Sequence, residues 1–356
     1  YAGLCCKIGL NLNPKGNINY LRRKINQFFS KLFIDNSPSD LKFNENITQV
    51  KKILISRPNH RLGNNLLLTP LIKEVIGIFP NAEIHLFLMG NIGDSVFESY
   101  KDVTKIIKLP RKPFKNLLDY FSCWLSLFKH NYDLAINANR VSSSGKLAVK
   151  LSRSRYKFFN IINKELSKIK DYSHNAKNPI YNFRYQVKNQ IDRVNYAIPK
   201  LDIKLRGYEI QNGEKLLKSM FNDNKPVISI FTYATADKCY SEEWWKDLYL
   251  KIKIFENKYN ILEILPMENV SQINFAAKSY YSNDIREIAS VMHNSKLFIG
   301  ADSGMMHLAH SSNVTTIGLF SVTETDFYGV YGDKNININT NNNDVNFIID
   351  SIRKRI

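Results

Sequence analysis

Short apolar, β-compatible runs alternate with helical stretches along this chain, and the alternation occurs twice. The first series has strands over Lys52–Ser56, Glu83–Leu88, Lys105–Leu109, Asp133–Asn137 and Tyr156–Phe159, with helices over Asn65–Phe79, Phe114–Lys129 and Ser143–Leu151. Residues 160–200 lose the rhythm. It resumes with a helix over Tyr208–Phe221, then strands over Pro226–Phe231, Tyr259–Leu265, Lys296–Ile299 and Thr315–Phe320. Helices over Ser241–Glu256, Asp284–His293 and Gly304–Ser312 separate them, and a terminal helix spans Asp344–Ile356. Strands alternating with helices imply parallel, doubly wound sheets. The Asn-rich stretch Asn335–Asn343 reads as a poor core segment.

With 356 residues, the chain is too long for one ordinary core and suits two domains. The reading divides it into an N-terminal extension (1–48), a first α/β domain (49–200), a second (201–340) and a C-terminal helix (341–356). Two such halves imply a cleft between them. In the extension, Ile18–Phe33 spaces apolar residues helically with Arg22, Arg23, Lys24 and Lys31 between them. Such a helix packs on the neighbouring domain or lies on an anionic membrane surface, the first being favoured. Ser37-Pro38-Ser39-Asp40 reads as a linker.

Lys and Arg exceed Asp and Glu by 50 to 32, a net charge of +18. That excess attracts polyanions, and the absence of a zinc-finger spacing or RNP motif argues against nucleic acid. The scarce cysteines, Cys5, Cys6, Cys123 and Cys239, fit a reducing compartment. Tyr1–Leu10 does not read as a signal peptide, and no apolar run is long enough to span a bilayer.

Two strand–loop–helix segments carry the candidate chemistry. In Phe298–His310, the Gly300-Ala301-Asp302-Ser303-Gly304 turn opens a helix that Asp302 or Ser303 can cap. Free N–H groups at such a helix start suit a phosphate, and Gly304 permits close approach. The plain alternative is an ordinary capped turn. The other segment runs from Ile53 to Pro70, and its loop from Arg57 to Asn65 turns at Gly63. It is neither a Walker loop nor a dinucleotide fingerprint. His60 and Arg61 in it can meet an acidic substrate, or simply be solvated. The Thr232–Lys238 loop follows a strand end, where open α/β sheets place ligands, and Lys238 can neutralise a phosphate. Glu268 can accept hydrogen bonds from a ribose, or be a surface carboxylate. His307 and His310 lack the further ligands a metal site needs, and the turn does not fit G-x-S-x-G, so neither a metal site nor a Ser303–His307 nucleophile elbow is expected.

Three patches resemble glycosyltransferase family 9, the lipopolysaccharide heptosyltransferases and their relatives. Arg61–Pro70 looks like the family's L-G-D loop and following T-P. Asp237–Trp245 looks like K-x-W-P-x-x-x-W, with Tyr240 and Ser241 in place of Trp and Pro. Gly300–Ala309 is close to G-x-D-[ST]-G-x-x-H-L-A, followed by Leu319–Thr323 as L-F-G-x-T and Tyr331-Gly332 as Y-G. The resemblance spans roughly residues 51–335 and implies a GT-B architecture, two Rossmann-like domains facing across a cleft. It also implies inverting, metal-independent transfer of heptose or a related sugar from a nucleotide diphosphate, ADP-heptose being a candidate, with no separate cofactor. The acceptor would be a phosphorylated glycolipid or other surface glycan. A cytoplasmic location follows, with peripheral contact at the inner membrane leaflet in view.

By the match, Lys238 and the Ser303–Gly304 amides would hold the diphosphate. Asp302 and His307 would orient donor sugar or phosphate, and Glu268 would meet the ribose; Thr232 is placed at the donor by its strand-end position instead. Arg57, Arg61, Gly63 and Asn65 would line the acceptor side. One position departs: the L-G-D aspartate, the expected general base, is Asn64. An amide is no useful base at neutral pH. His60 is placed first as the substitute, Asp302 second; a non-catalytic sugar-nucleotide or glycan-binding protein is the third reading, and a hydrolase or epimerase of the same architecture a fourth.

Overall fold

The computed structural model describes residues 49–112, 117–191, 193 and 196–356. The extension with its basic helix and linker, and the start of the helix read from Phe114, lie outside the described residues. In the first sheet, β1 (Lys52–Ser56), β2 (Glu83–Met89), β3 (Val103–Leu109), β4 (Asn131–Asn137) and β5 (Arg153–Phe158) take the order β3-β2-β1-β4-β5. The second comprises β6 (Val227–Phe231), β7 (Asn260–Ile264), β8 (Lys278–Tyr280), β9 (Leu297–Ala301), β10 (Thr315–Phe320) and β11 (Ile336–Asn339), ordered β11-β10-β9-β6-β7-β8. All their pairings are parallel. The fold is GT-B: two Rossmann-like domains.

Central strands such as β6 and β9 are buried along their whole length, which is why they read as unbroken apolar runs rather than alternating ones. In each sheet the winding reverses direction once. The reversals fall at β1/β4 and at β6/β9, and the crevice beyond the carboxyl ends of such strands is where ligands bind. Those strand ends deliver Arg57 in one domain, and Thr232 and Asp302 in the other.

The domains share a core. One apolar cluster runs from Leu66, Leu71 and Val75 through Phe183 and Ile203 to Phe231, Met292, Met306 and Leu308. Arg286, 4% exposed, fastens the crossing. Its guanidinium donates to Glu209 at 2.6 and 2.8 Å, to Ser95 O and Ile203 O at 3.1 Å, and to Ser99 Oγ and Lys204 O at 3.0 Å.

Several elements differ from the sequence reading. The single helix expected over Asn65–Phe79 is two, Leu62–Leu66 and Thr69–Ile78, because Pro70 starts the second and cannot continue the first. The Asn-rich stretch holds the edge strand β11, whose Ile338 is buried in the core beside Ile348 and Ile352. β8 and the helix Ile92–Phe97 were not expected at all; β8 has only three residues, too few to show a period. Ser303, not Asp302, caps the Gly304–Ser311 helix by accepting from Met306 N.

Candidate active site

The two loops singled out in the sequence meet. The start of the Leu62–Leu66 helix packs on the start of the Gly304–Ser311 helix, glycine to glycine. A Cβ at Gly63 would lie 2.7 Å from His307 Cδ2, and one at Gly304 would lie 3.2 Å from Leu62 Cβ and 3.3 Å from Gly63 N. A side chain at Gly63 would collide with the His307 ring and one at Gly304 would crowd Leu62, so the two helix starts meet closely there.

On one flank stands the Lys238–Asp302 pair. Lys238 ends a short 3-10 turn, Ala236–Lys238, entered through Ala236 at φ 56°. Its Nζ donates to Asp302 Oδ2 at 2.5 Å and lies 5.7 Å from the centre of the Tyr328 ring. Thr323 Oγ1 donates to the same carboxylate oxygen. Asp302 is 5% exposed, and both donors meet the same oxygen of its carboxylate. Ser303 and Gly304 are half-buried beside it. Here a cation, a hydroxyl and a helix N-terminus converge, an arrangement that can hold an anionic group.

Beneath the contact lies a cluster of cationic and imidazole groups. Arg57 is buried; its Nη2 donates to Asn64 Oδ1 at 3.0 Å, and its Nε has no hydrogen-bond partner. Burial pushes its pKa down to about 10. Among the described residues no carboxylate pairs with it. His307 Nδ1 is likewise buried without a partner. His174 donates from Nε2 to Gly329 O at 2.8 Å and accepts at Nδ1 from Ala176 N. The rings of His174 and His310 pack edge-on against Tyr331, at 5.3 and 4.9 Å.

Burial lowers the pKa of His174 and His307 to about 4 and of His310 to about 3, so all three are neutral at pH 7. A histidine whose folded pKa lies below its unfolded value, near 6.5, gives stability that is complete above pH ~6.5 and lost as pH falls towards the folded value. The melting temperature is therefore expected to fall steeply between pH 6.5 and pH 4, and less steeply in His310→Phe. Calorimetry across that range tests it; a flat wild-type profile would remove the cluster from the account.

On the other flank a cleft of about 1080 Å³ opens between the domains. His60, Lys108, Arg111, Ser122 and Lys129 line it from the first domain; Pro266, Met267, Asn283, Ile285 and Met305 line it from the second. Its size suits a sugar or glycan substrate, and its basic first-domain wall suits an anionic one. Arg61 is exposed at the loop surface. Asn65 turns inward, donating to Asn59 O at 3.2 Å and Arg61 O at 3.0 Å, so it shapes the loop rather than facing the cleft.

One residue assigned to the donor is placed differently from its assigned role. Thr232 is 1% exposed, donates to Glu263 Oε1 at 2.6 Å and accepts from Gln272 N at 3.2 Å. Its hydroxyl anchors the loop after β7. Glu268 is exposed on that loop, next to the cleft-lining Met267. Glu263 is the carboxylate that organises the loop: fully buried, with its pKa raised by burial, it accepts from Thr232 and from Ser271 Oγ at 2.7 Å. Glu263 was legible only as part of a strand. Thr323 was read only as the end of L-F-G-x-T, without a role, and His174 was not singled out, because only tertiary packing brings them to Asp302 and His307.

Comparison with known proteins agrees with this geometry. The family model described as “Glycosyltransferase family 9 (heptosyltransferase)” matches residues 120–351. A search of the curated proteins returns no match. Among solved structures, a family 9 glycosyl transferase from Veillonella parvula is similar at TM-score 0.66 and 17% identity, over 89% of this chain and 91% of that one. The E. coli heptosyltransferase WaaC with ADP is similar at TM-score 0.63 and 16% identity, over 86% of this chain and 100% of that one. E. coli ADP-heptose lps heptosyltransferase II follows at 0.59 and 13%, over 81% and 90%. With the family model covering well over half of its length, and two Rossmann-like domains meeting at their switch points, this chain belongs to glycosyltransferase family 9 and is a glycosyltransferase.

Proposed function

We propose that the chain moves heptose or a related sugar, with inversion and without a metal, from a nucleotide diphosphate to a lipopolysaccharide-type or other surface-glycan acceptor at the cytoplasmic side of a membrane. One observation supports this above others: Lys238, Asp302 and the start of the Gly304–Ser311 helix converge at a switch point directly against the 57–65 loop. The likeness to structures described with ADP and with an ADP-heptose analogue favours an ADP-linked donor. In the reaction, the acceptor hydroxyl attacks the anomeric carbon, loses its proton to a base, and expels the nucleoside diphosphate. Lys238 and the Ser303 and Gly304 amides take up the charge on the leaving oxygen.

The base is His60. Asn64 lacks a basic atom and its Oδ1 accepts from Arg57, while Asp302 is held by Lys238 and Thr323. His60 is exposed on the cleft wall, where an acceptor can reach it. The second reading, a non-catalytic binder of sugar nucleotide or glycan, rests on Asn64 itself. Mass spectrometry of a deacylated lipid A–core acceptor incubated with ADP-heptose separates the two. Transfer by the wild type, reduced about 100-fold in His60→Ala, is expected. An inert wild type that gains transfer in Asn64→Asp would establish the binding reading instead.

A further inference from the structure

The Leu117–Ser126 helix and the Leu127–Lys129 turn that follows divide into three faces at ~100° per residue. Cys123, Trp124 and Leu127 are buried against the first-domain sheet, packing with Phe87 and Leu109. Asp119, Ser122 and Ser126 line the cleft. The third face is apolar and uncovered: Leu117 is 49% exposed, Leu118 84%, Phe121 60%, Leu125 60% and Phe128 40%. These five fall within a stripe about 100° wide, with no polar side chain inside it.

The surroundings of the stripe are basic. Lys112 precedes the helix, and Lys129 and Arg111 border it from the cleft side. Arg153 Nη1 donates to Phe128 O at 3.4 Å, and Lys105 Nζ contacts His130 Nε2 at 2.9 Å just beyond the turn. An apolar band flanked by cations matches a surface that offers hydrocarbon beneath a layer of negative charge. We infer that this helix is the face by which the protein seats on an anionic phospholipid bilayer. Its cleft-lining side then opens at the membrane surface, where a lipid-anchored acceptor presents its sugar. The seating deepens the transferase reading by placing the acceptor's anchor, and it rests on that reading only for the acceptor's identity.

The test is co-sedimentation of the full chain with phosphatidylcholine vesicles containing or lacking phosphatidylglycerol. The comparison is with the triple variant Leu118→Ser/Phe121→Ser/Leu125→Ser, whose altered side chains are exposed and outside the cleft. Nucleoside diphosphate binding is measured in parallel. The wild type is expected to sediment with anionic vesicles and to be released by salt. The triple variant is expected to lose at least tenfold in partitioning, with nucleotide binding unchanged. Undiminished partitioning of the triple variant, or equal binding to neutral vesicles, would overturn the proposal. So would a wild-type dimer that the triple variant abolishes, seen by analytical ultracentrifugation without vesicle binding, since the stripe would then belong to a second copy of the chain. Loss of nucleotide binding in the wild type would sink the transferase reading while leaving the vesicle result to stand by itself.

Discussion

Replacing Lys238 by alanine is expected to lower kcat/KM for sugar transfer by about 10²–10³-fold, the loss typical of removing one donor aimed at developing negative charge. Lys238 is the cation at the Asp302 turn, and its side chain is 31% exposed, so a ligand can reach it. Asp302, 5% exposed, would keep only Thr323 Oγ1 of the donors Lys238 and Thr323, so the melting temperature is also expected to fall, and the kinetics are measured well below the variant's own transition. Lys238→Arg should recover only part of the activity, because a planar fork on a longer stem does not place its charge where an ammonium does. Steady-state kinetics with the donor varied is the measurement. Unchanged kinetics in the alanine variant would show that the leaving diphosphate is carried elsewhere.

The largest expected effect on stability lies away from the site. Glu74 is buried on the Thr69–Ile78 helix, and Arg184 on the Asn178–Val187 helix holds both its oxygens at 2.9 and 2.7 Å. The same guanidinium donates to Tyr196 O and, at 3.2 Å, to Ala197 O, so it ties the first domain to the chain that crosses into the second. Arg184→Met removes these donors and leaves Glu74 facing only Arg193, at 3.5 Å. Breaking one side of a buried pair costs about 3–5 kcal/mol, which corresponds to a melting temperature lower by roughly 10 °C for a domain of this size. The double variant Glu74→Leu/Arg184→Met should regain much of the loss, since no charge is then left buried. A double variant as unstable as the single would show that the bonds to Tyr196 and Ala197 matter more than the ion pair.

What the sequence reveals depends on whether the determining contacts are local. The β9 turn and its helix are legible because the apolar run, the glycines and the capping serine are consecutive. Lys238 and Asp302 are each recognisable by motif, yet their 2.5 Å contact spans 64 positions and is visible only in the fold. β11 was misread because Asn content outweighed its two isoleucines. In the structure Asn337 serves the fold, accepting from Val330 N and donating to Val330 O, both at 2.8 Å. Thr232 was assigned to the ligand from its strand-end position, a rule that fixes the backbone's location but not where a hydroxyl points. The substitution at Asn64 was plain in the sequence. Its structural consequence, a buried guanidinium that donates to a neutral amide, was not.

The central claim is that a donor's diphosphate rests between Lys238 and the first turn of the Gly304–Ser311 helix. A crystal structure of the full chain with ADP tests it most directly. The expected result has phosphate oxygens within hydrogen-bond reach of Lys238 Nζ and of the Ser303 and Gly304 amides. Phosphates bound instead along the Arg111–Lys129 wall of the cleft, with Lys238 still closed on Asp302 alone, would contradict it.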